Sequence, residues 1–325
     1  MNEPARILLV TPEPVTIDPP TDRITAFRGQ PTDWSEVVQH MSGFTHLAVG
    51  PIGGEVASDL LLKAVDAELV SIFALPGYEW IELIADRPQI LRGVTHALDG
   101  LVVVAPTSMI PASKPPDWLA DLGYRLASPL LDMLPLDVER RLVRSDRPVS
   151  RSLKPFKPPL LSPRSLAAEA DSARSTNAAR NRLSQLSSDT TTLMAGWFQI
   201  NDDLDASHTL AQSIEGHPDG DYWHAIMHRR EPDYGNSKYW FRHVGRHPVF
   251  ADLAPRAAQI LHDAPPDVHS QWSGRLNVDS GWDPSAFVDM CQQAAADEED
   301  NLGRTARRIQ WIEMLLLLRH CARSA

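Results

Sequence analysis

Between Arg144 and Arg182 the chain has a composition that cannot support a hydrophobic core of its own. Pro148, Pro155, Pro158, Pro159 and Pro163 fix φ and remove backbone donors, so neither a helix nor a central strand can run through the first part of this stretch. Nine basic residues (Arg144, Arg147, Arg151, Lys154, Lys157, Arg164, Arg174, Arg180 and Arg182) face only Asp146, Glu169 and Asp171. Too little apolar surface is left to offset the entropy of ordering it. The Ala-rich 166–186 portion could form a helix. A chain of 325 residues interrupted in this way needs two separate cores. The division expected is residues 1–145, a basic Pro/Ser/Arg-rich linker over 146–189, and residues 190–325. No internal repeat of the solenoid kind is present.

The first half reads as α+β. Residues 5–10 (ARILLV) form a short apolar run of the kind that makes a buried strand. Pro12, Pro14, Pro19 and Pro20 then force an extended excursion. Strand patterns follow at 45–50 (THLAVG), 68–74 (ELVSIFA), 78–84 (YEWIELI) and 101–105. Two helices are predicted: Glu55–Val65, with Val56, Leu60, Leu61 and Ala64 on one stripe, and Pro88–Leu98. The order over 45–120 is β-α-β-β-α-β, which predicts a layered α+β sandwich rather than a doubly wound sheet.

Three segments in that half, read in order, carry a resemblance. GGEVASDLLLKAVDAELVSIF holds a Lys63-Ala64 pair followed by Glu68-Leu69-Val70. LPGYEWIELIADRPQILRGVTHAL has a small turn, a strand, an acidic turn and a helix; VVVAPTSMIPASKPPDWL closes with a strand and an Ile-Pro tail. Together these resemble the bacterial microcompartment shell domain over about 80 residues, a quarter of the chain. The resemblance implies a cyclic homo-oligomer tiling with itself and with other shell proteins, in the cytoplasm, within or on a microcompartment. It implies that Leu75, Pro76 and Gly77 line the pore loop and that Lys63 stands at the oligomer edge. The sequence departs from the family pattern in the Pro111–Pro115 tail, in the first 40 residues, and in the bulk and charge of Glu79, Trp80 and Glu82. Read on the residues alone, Lys63 is a solvated helix lysine and Pro76-Gly77 an ordinary turn. A competing nucleotide-binding reading rests on Pro51-Ile52-Gly53-Gly54 between a strand and a helix. Neither GxGxxG nor a P-loop lysine accompanies it.

The second half is helical and rich in histidine and tryptophan: nine of the twelve histidines lie beyond residue 190. Asp205 or Ser207 is expected to cap a helix running to Glu215, ended by Gly216. Tyr222–Glu231 reads as the next helix, stopped by Pro232. Asp283-Pro284 marks another helix start, and Leu302–Cys321 a long final helix. His224, His228 and Glu231 fall at i, i+4 and i+7, on one helix face. His208, Gln212 and Glu215 repeat that spacing sixteen residues earlier. A short connection folds the two faces together, which predicts that His208, His224, His228 and Glu231 converge with Glu215 nearby. Imidazoles and carboxylates so grouped suit a divalent metal or acid–base chemistry.

Two other arrangements of the same segment remain open. One is a structural polar network pairing Arg229, Arg230 and Arg242 with Glu231, Asp233 and Asp221. The other is an anion or small-molecule pocket built on Arg229, Arg230, Arg242 and Trp240. Asp202, Asp203 and Asp205 read as a helix cap, Cys291 as a packing residue, and Trp311–Leu318 as core. The sequence leaves open whether any reaction is catalysed.

Charge and cysteine content restrict the classes of function. A net charge of −11 is opposite to a nucleic-acid footprint and to docking on an anionic membrane. Two cysteines make no disulfide framework and no multi-Cys zinc site, and fit a reducing compartment. MNEPARILLV lacks the layout of a signal peptide, and the apolar run Met314–Leu318 is too short to span a bilayer. A soluble cytoplasmic protein with no nucleic-acid or membrane partner is expected.

Overall fold

Ile7-Leu8-Leu9-Val10-Thr11, five consecutive buried residues, form β1 and lie inside a six-stranded sheet. An unbroken apolar strand is what a sheet covered on both faces requires. In the computed structural model the residues described are 4–11, 14–28, 34–50, 53–65, 68–74, 79–83, 102–110, 140–144, 149–150, 158–162 and 190–322. They fall into two units, Met1–Lys157 and Pro158–Ala325.

The strands of the first unit are β1 (Ile7–Thr11), β2 (Val15–Asp18), β3 (Ile24–Arg28), β4 (His46–Val49), β5 (Gly54–Ala57), β6 (Val70–Ala74), β7 (Val102–Pro106) and β8 (Arg140–Arg144). The helices are α1 (Trp34–His40) and α2 (Ser58–Lys63). The main sheet runs β3-β1-β4-β7-β6-β8, and β2 pairs separately with β5. β1 is parallel to β3 and β4, β7 is antiparallel to β4 and β6, and β6 is parallel to β8. Ile7, Leu9, Ile24, Ala48, Val56, Leu61, Phe73, Val102 and Val104 make the core.

The α+β class is as expected: a strand-rich mixed sheet precedes a helical unit. The finer topology expected for 45–120 differs in three described places. The first 40 residues are not an appendage, because β1 and β3 are part of the sheet and β1 pairs directly with β4. The strand expected at 78–84 is instead a 3-10 turn at Glu79–Leu83. Trp80 and Ile81 are buried side by side with Leu83, while Glu82 is exposed. That is the pattern of a three-residue turn, since a strand alternates. The helix expected from Glu55 begins at Ser58, because Gly54–Ala57 is drawn into the ladder with β2. Lys63 is exposed in the last turn of α2. The helix expected at 88–98 and the loop Leu75, Pro76 and Gly77 lie outside the described residues.

Two pieces of the expected linker are built into folded structure. Val149 and Ser150 are buried in the first unit: Ala57 N donates to Val149 O at 2.9 Å and Ser150 Oγ to Gly53 O at 2.7 Å. Residues 158–162 belong to the second unit. Their carbonyls accept from Arg307 and Gln310, and Glu298 takes the Leu161 and Ser162 amides at 2.6 and 3.2 Å. A proline-rich segment keeps its carbonyl acceptors even though it loses donors, which is why it can still be held.

The second unit contains eight α-helices among the described residues: α3 (Thr190–Ile200), α4 (Leu204–Ser213), α5 (Pro218–Arg230), α6 (Tyr234–Val244), α7 (Val249–His262), α8 (Pro266–Trp272), α9 (Pro284–Ala294) and α10 (Asn301–Cys321). Asp203, Asp233, Asp283 and Asp300 each cap a helix by accepting the amide three residues on. Asp283-Pro284 was legible in sequence; α4 starts at the Asp203 cap rather than at Asp205 or Ser207, and α5 starts at Pro218, four residues before Tyr222. Gly196 of α3 lets that helix close onto α5, since a Cβ there would sit 2.4 Å from the Trp223 ring.

Every residue of α5 from Asp219 to Arg230 is buried, although the segment holds two aspartates, two histidines and two arginines. The arginines do not pair with Glu231, Asp233 or Asp221 as the sequence reading supposed. Arg229 donates to the Glu313 carboxylate and, at 3.3 Å, to Gln310 Oε1; its guanidinium stacks 4.6 Å from the Phe287 ring. Tyr222 Oη donates to the other Glu313 oxygen at 3.0 Å. Arg230 is held by Asp202 and by the Gln199 carbonyl and side chain. Glu313 on α10 meets Arg229 at its own depth, as a fully buried charge requires, while Asp202 reaches Arg230 from the partly exposed turn after α3.

Removing one side of this pair leaves an uncompensated buried charge. Glu313→Ala should destabilise the second unit by about 3–5 kcal/mol, or roughly 6–20 °C in melting temperature for a unit of this size. An Arg229→Met/Glu313→Leu double variant should recover much of that loss. Equal melting of wild type and Glu313→Ala would show that the pair is not holding the helices.

Candidate functional site

The histidine cluster is built by a helix hairpin. Four residues separate α4 from α5, so α4 folds back against α5. His208 of α4 thereby meets His224 and His228, one turn apart on α5. Its ring centroid is 4.8 Å from that of His224 and 5.2 Å from that of His228, and the two α5 imidazoles stack at 4.8 Å. One nitrogen from each of the three rings lies within 4.8 Å of the other two. A tetrahedral ion with nitrogen ligands at about 2.0–2.1 Å needs separations of about 3.3 Å.

Trp240 of α6 forms the wall behind the cluster, stacked on His224 with centroids 4.0 Å apart and 25° between planes. His224 is 2% exposed, and neither of its ring nitrogens has a hydrogen-bond partner. Burial, with His228 and His208 alongside, pushes its pKa down to about 4. Burial and His208 also lower the pKa of His228, against the upward pull of Glu231 and Asp233. Glu231 approaches His228 Nδ1 at 3.4 Å from the rim, with its side chain half exposed. The Asn236 amide nitrogen lies 3.0 Å from His228 Nε2 and 3.4 Å from its Nδ1. His208 is only partly buried and forms the open side.

His208, His224, His228 and Glu231 are thus brought together as the spacing predicted. Glu215 is not: α4 ends at Ser213 and Glu215 is exposed in the turn beyond it. The helix breaks before it because Gly216 takes φ +88°. The residues proposed for an anion pocket do not converge. Arg229 and Arg230 are consumed in buried networks, and Arg242 is exposed with its guanidinium 5.8 Å from the Tyr239 ring. Trp240 belongs to the histidine cluster instead. Asp203 is the cap of α4 and Asp202 the partner of Arg230, Cys291 is buried in packing, and Trp311–Leu318 is core apart from the half-buried Ile312.

Asn236 escaped the sequence reading, since an asparagine in a first helical turn looks like a capping residue. A second grouping, Asp219 with His247 and His320, also escaped it; its members are scattered over a hundred positions with no common period. No helix among the described residues is long and apolar enough to cross a membrane. Comparison with family models, curated proteins and solved structures finds no match to this chain.

The buried, neutral His224 makes stability depend on pH. Its folded pKa of about 4 lies below the 6.5 of an unfolded histidine, so the unfolded chain takes up the proton first. The stabilisation is complete above about pH 6.5 and is lost as pH falls toward 4, by roughly 2–3 kcal/mol. Thermal melts from pH 7 to 4.5 should show this slope, and His224→Phe, which keeps the stack on Trp240, should flatten it. An identical slope in both proteins would mean His224 is not the titrating group.

Proposed function

We propose that the second unit is a metal-binding domain in which His208, His224 and His228 hold one divalent transition-metal ion of the zinc class. His224 carries the reading. It is fully buried, neutral at pH 7, and has two ring nitrogens without hydrogen-bond partners beside two further imidazoles. Each buried unpaired polar group costs about 1–3 kcal/mol, and ligation of an ion removes that cost for one of the two His224 nitrogens. Neutral imidazole is the ligand form, and nitrogen donors suit zinc, copper, nickel or iron better than magnesium or calcium.

Three protein ligands leave a coordination position, and the partly exposed His208 side gives it access to solvent. An ion held this way acidifies bound water and supports hydrolysis or hydration of a small polar substrate. In that chemistry Glu231 would orient His228 through Nδ1, Asn236 would release Nε2 to the ion, and Trp240 excludes water behind His224. The scaffolding role implied by the microcompartment-shell resemblance ranks second, because Lys63 is the one assigned residue in described structure and it sits exposed at a helix end.

Cobalt(II) or zinc(II) titration of the full chain tests the reading. His224→Ala and His228→Ala should each lose one bound equivalent while remaining folded. Saturating metal at about 100 times its Kd should stabilise the wild type by about 2.7 kcal/mol, or roughly 5–10 °C. Unchanged stoichiometry in His224→Ala would refute the triad as a metal site.

A further inference from the structure

The N-terminal turn of α5 carries a different constellation. Asp219, 5% exposed, has its carboxylate Oδ1 2.8 Å from His247 Nε2 and 3.5 Å from His320 Nε2. His247 comes from the connection between α6 and α7, and His320 from the last turn of α10. The two imidazoles lie 5.0 Å apart at 69°, and one ligand atom from each residue lies within 4.8 Å of the others. Three elements thus bring one oxygen and two nitrogens close together.

The geometry points to a second divalent-metal site, formed by Asp219, His247 and His320, with a two-histidine, one-carboxylate donor set. Neighbouring ligands about 2.0–2.2 Å from an ion stand about 2.9 Å apart in octahedral and about 3.4 Å apart in tetrahedral coordination. Asp219 Oδ1 stands at 2.8 and 3.5 Å from the two imidazole nitrogens, the shorter contact being a hydrogen bond, and the two nitrogens lie within 4.8 Å of each other. The Asp219 carboxyl is 5% exposed, and a carboxylate at that depth requires a cation or strong donors beside it. His320 lies at the C-terminal end of α10, where the helix dipole favours positive charge. Its side chain is 29% exposed, which opens a route for an ion.

Loading requires one tautomer change. The Val249 amide donates to His247 Nδ1 at 3.3 Å, which places the ring proton on Nε2, facing Asp219. When the ion takes Nε2, that proton moves to Nδ1, the ring stays neutral, and the Val249 amide gives up its acceptor. The carboxylate suits iron(II), manganese(II), cobalt(II) or zinc(II) and makes this site harder than the triad. Asp219 and His224 are five residues apart on α5, about 7–8 Å along the axis, so a single ion cannot serve both sets. This site is independent of the triad reading.

The test is cobalt(II) titration of the chelator-stripped full chain, read by elemental analysis and visible absorption. Wild type should bind two equivalents. His320→Ala, Asp219→Asn and His224→Ala should each bind one, and His224→Ala/His320→Ala none. His320→Ala should melt like the metal-free wild type, because the residue is partly exposed. With zinc(II), the Val249 amide resonance should shift on loading in wild type and His224→Ala but not in His320→Ala. A single wild-type equivalent that disappears in His224→Ala and persists in His320→Ala would overturn this site and leave the triad standing. One that disappears in His320→Ala and persists in His224→Ala would do the reverse. Full wild-type loading in both His320→Ala and Asp219→Asn would also overturn it, leaving the cluster as a carboxylate–imidazole network.

Discussion

The second unit depends on a helix buried on every side that is not made of hydrophobic residues. A helix surrounded by protein is ordinarily apolar all round. α5 instead brings Asp219, Asp221, His224, His228, Arg229 and Arg230 out of water together. Arg229, Arg230, Asp219 and Asp221 find partners on neighbouring helices and connections, so α5 determines where the surrounding elements place their polar groups. The Arg229–Glu313–Tyr222 contact does most of this. Tyr222 and Arg229 are seven residues apart, on one face, and both bind the same carboxylate of α10.

That contact fixes the rotation of α5 about its own axis. At about 100° per residue, His224 and His228 stand about 200° and 240° around from Tyr222. With one face held on Glu313, the opposite face must present both imidazoles to α4 and α6, where His208 and Trp240 meet them. Asp219 stands about 60° from Tyr222, on the α10 side, where His320 lies one heptad beyond Glu313. The histidine triad and the Asp219 cluster are therefore two consequences of one rotational constraint. A hydrophobic face would hold the rotation less sharply, because apolar contacts have no direction.

How much of this was legible in sequence follows from how local each signal is. The i, i+4 spacing of His224 and His228, with a short turn back to His208, lies within 21 residues and involves two helices. Helical period and turn length are enough to bring the three rings together. Glu215 failed for a local reason that the sequence also contained, since Gly216 ends the helix before it. Glu313 and His320 could not be found this way. They lie 80 to 100 positions from their partners, and within α10 they look like ordinary surface positions of an amphipathic helix. In the first unit, apolar runs located β1, β4, β6 and β7, but no local pattern says that β1 pairs with β4. Assigning a self-contained fold to 45–120 failed there, because strand pairing is a long-range choice. The strand expected at 78–84 failed for a different reason: its adjacent buried residues already broke the alternation a strand needs.

The burial that neutralises His224 links the architecture to the proposed chemistry. A charged imidazole at that depth would be costly, so the ring stays neutral well below pH 7. The same depth denies it water as a hydrogen-bond partner, and the stacked Trp240 offers only a ring face. His208 and His228 stand beside it but make no hydrogen bond to it. An ion is a partner that can take one lone pair from each of the three imidazoles. A purely structural network would have placed a hydroxyl or an amide beside His224. The nearest amide, Asn236, instead contacts His228 at the rim. The polar groups around the cluster therefore hold the outer imidazole in place and leave the inner one free to ligate.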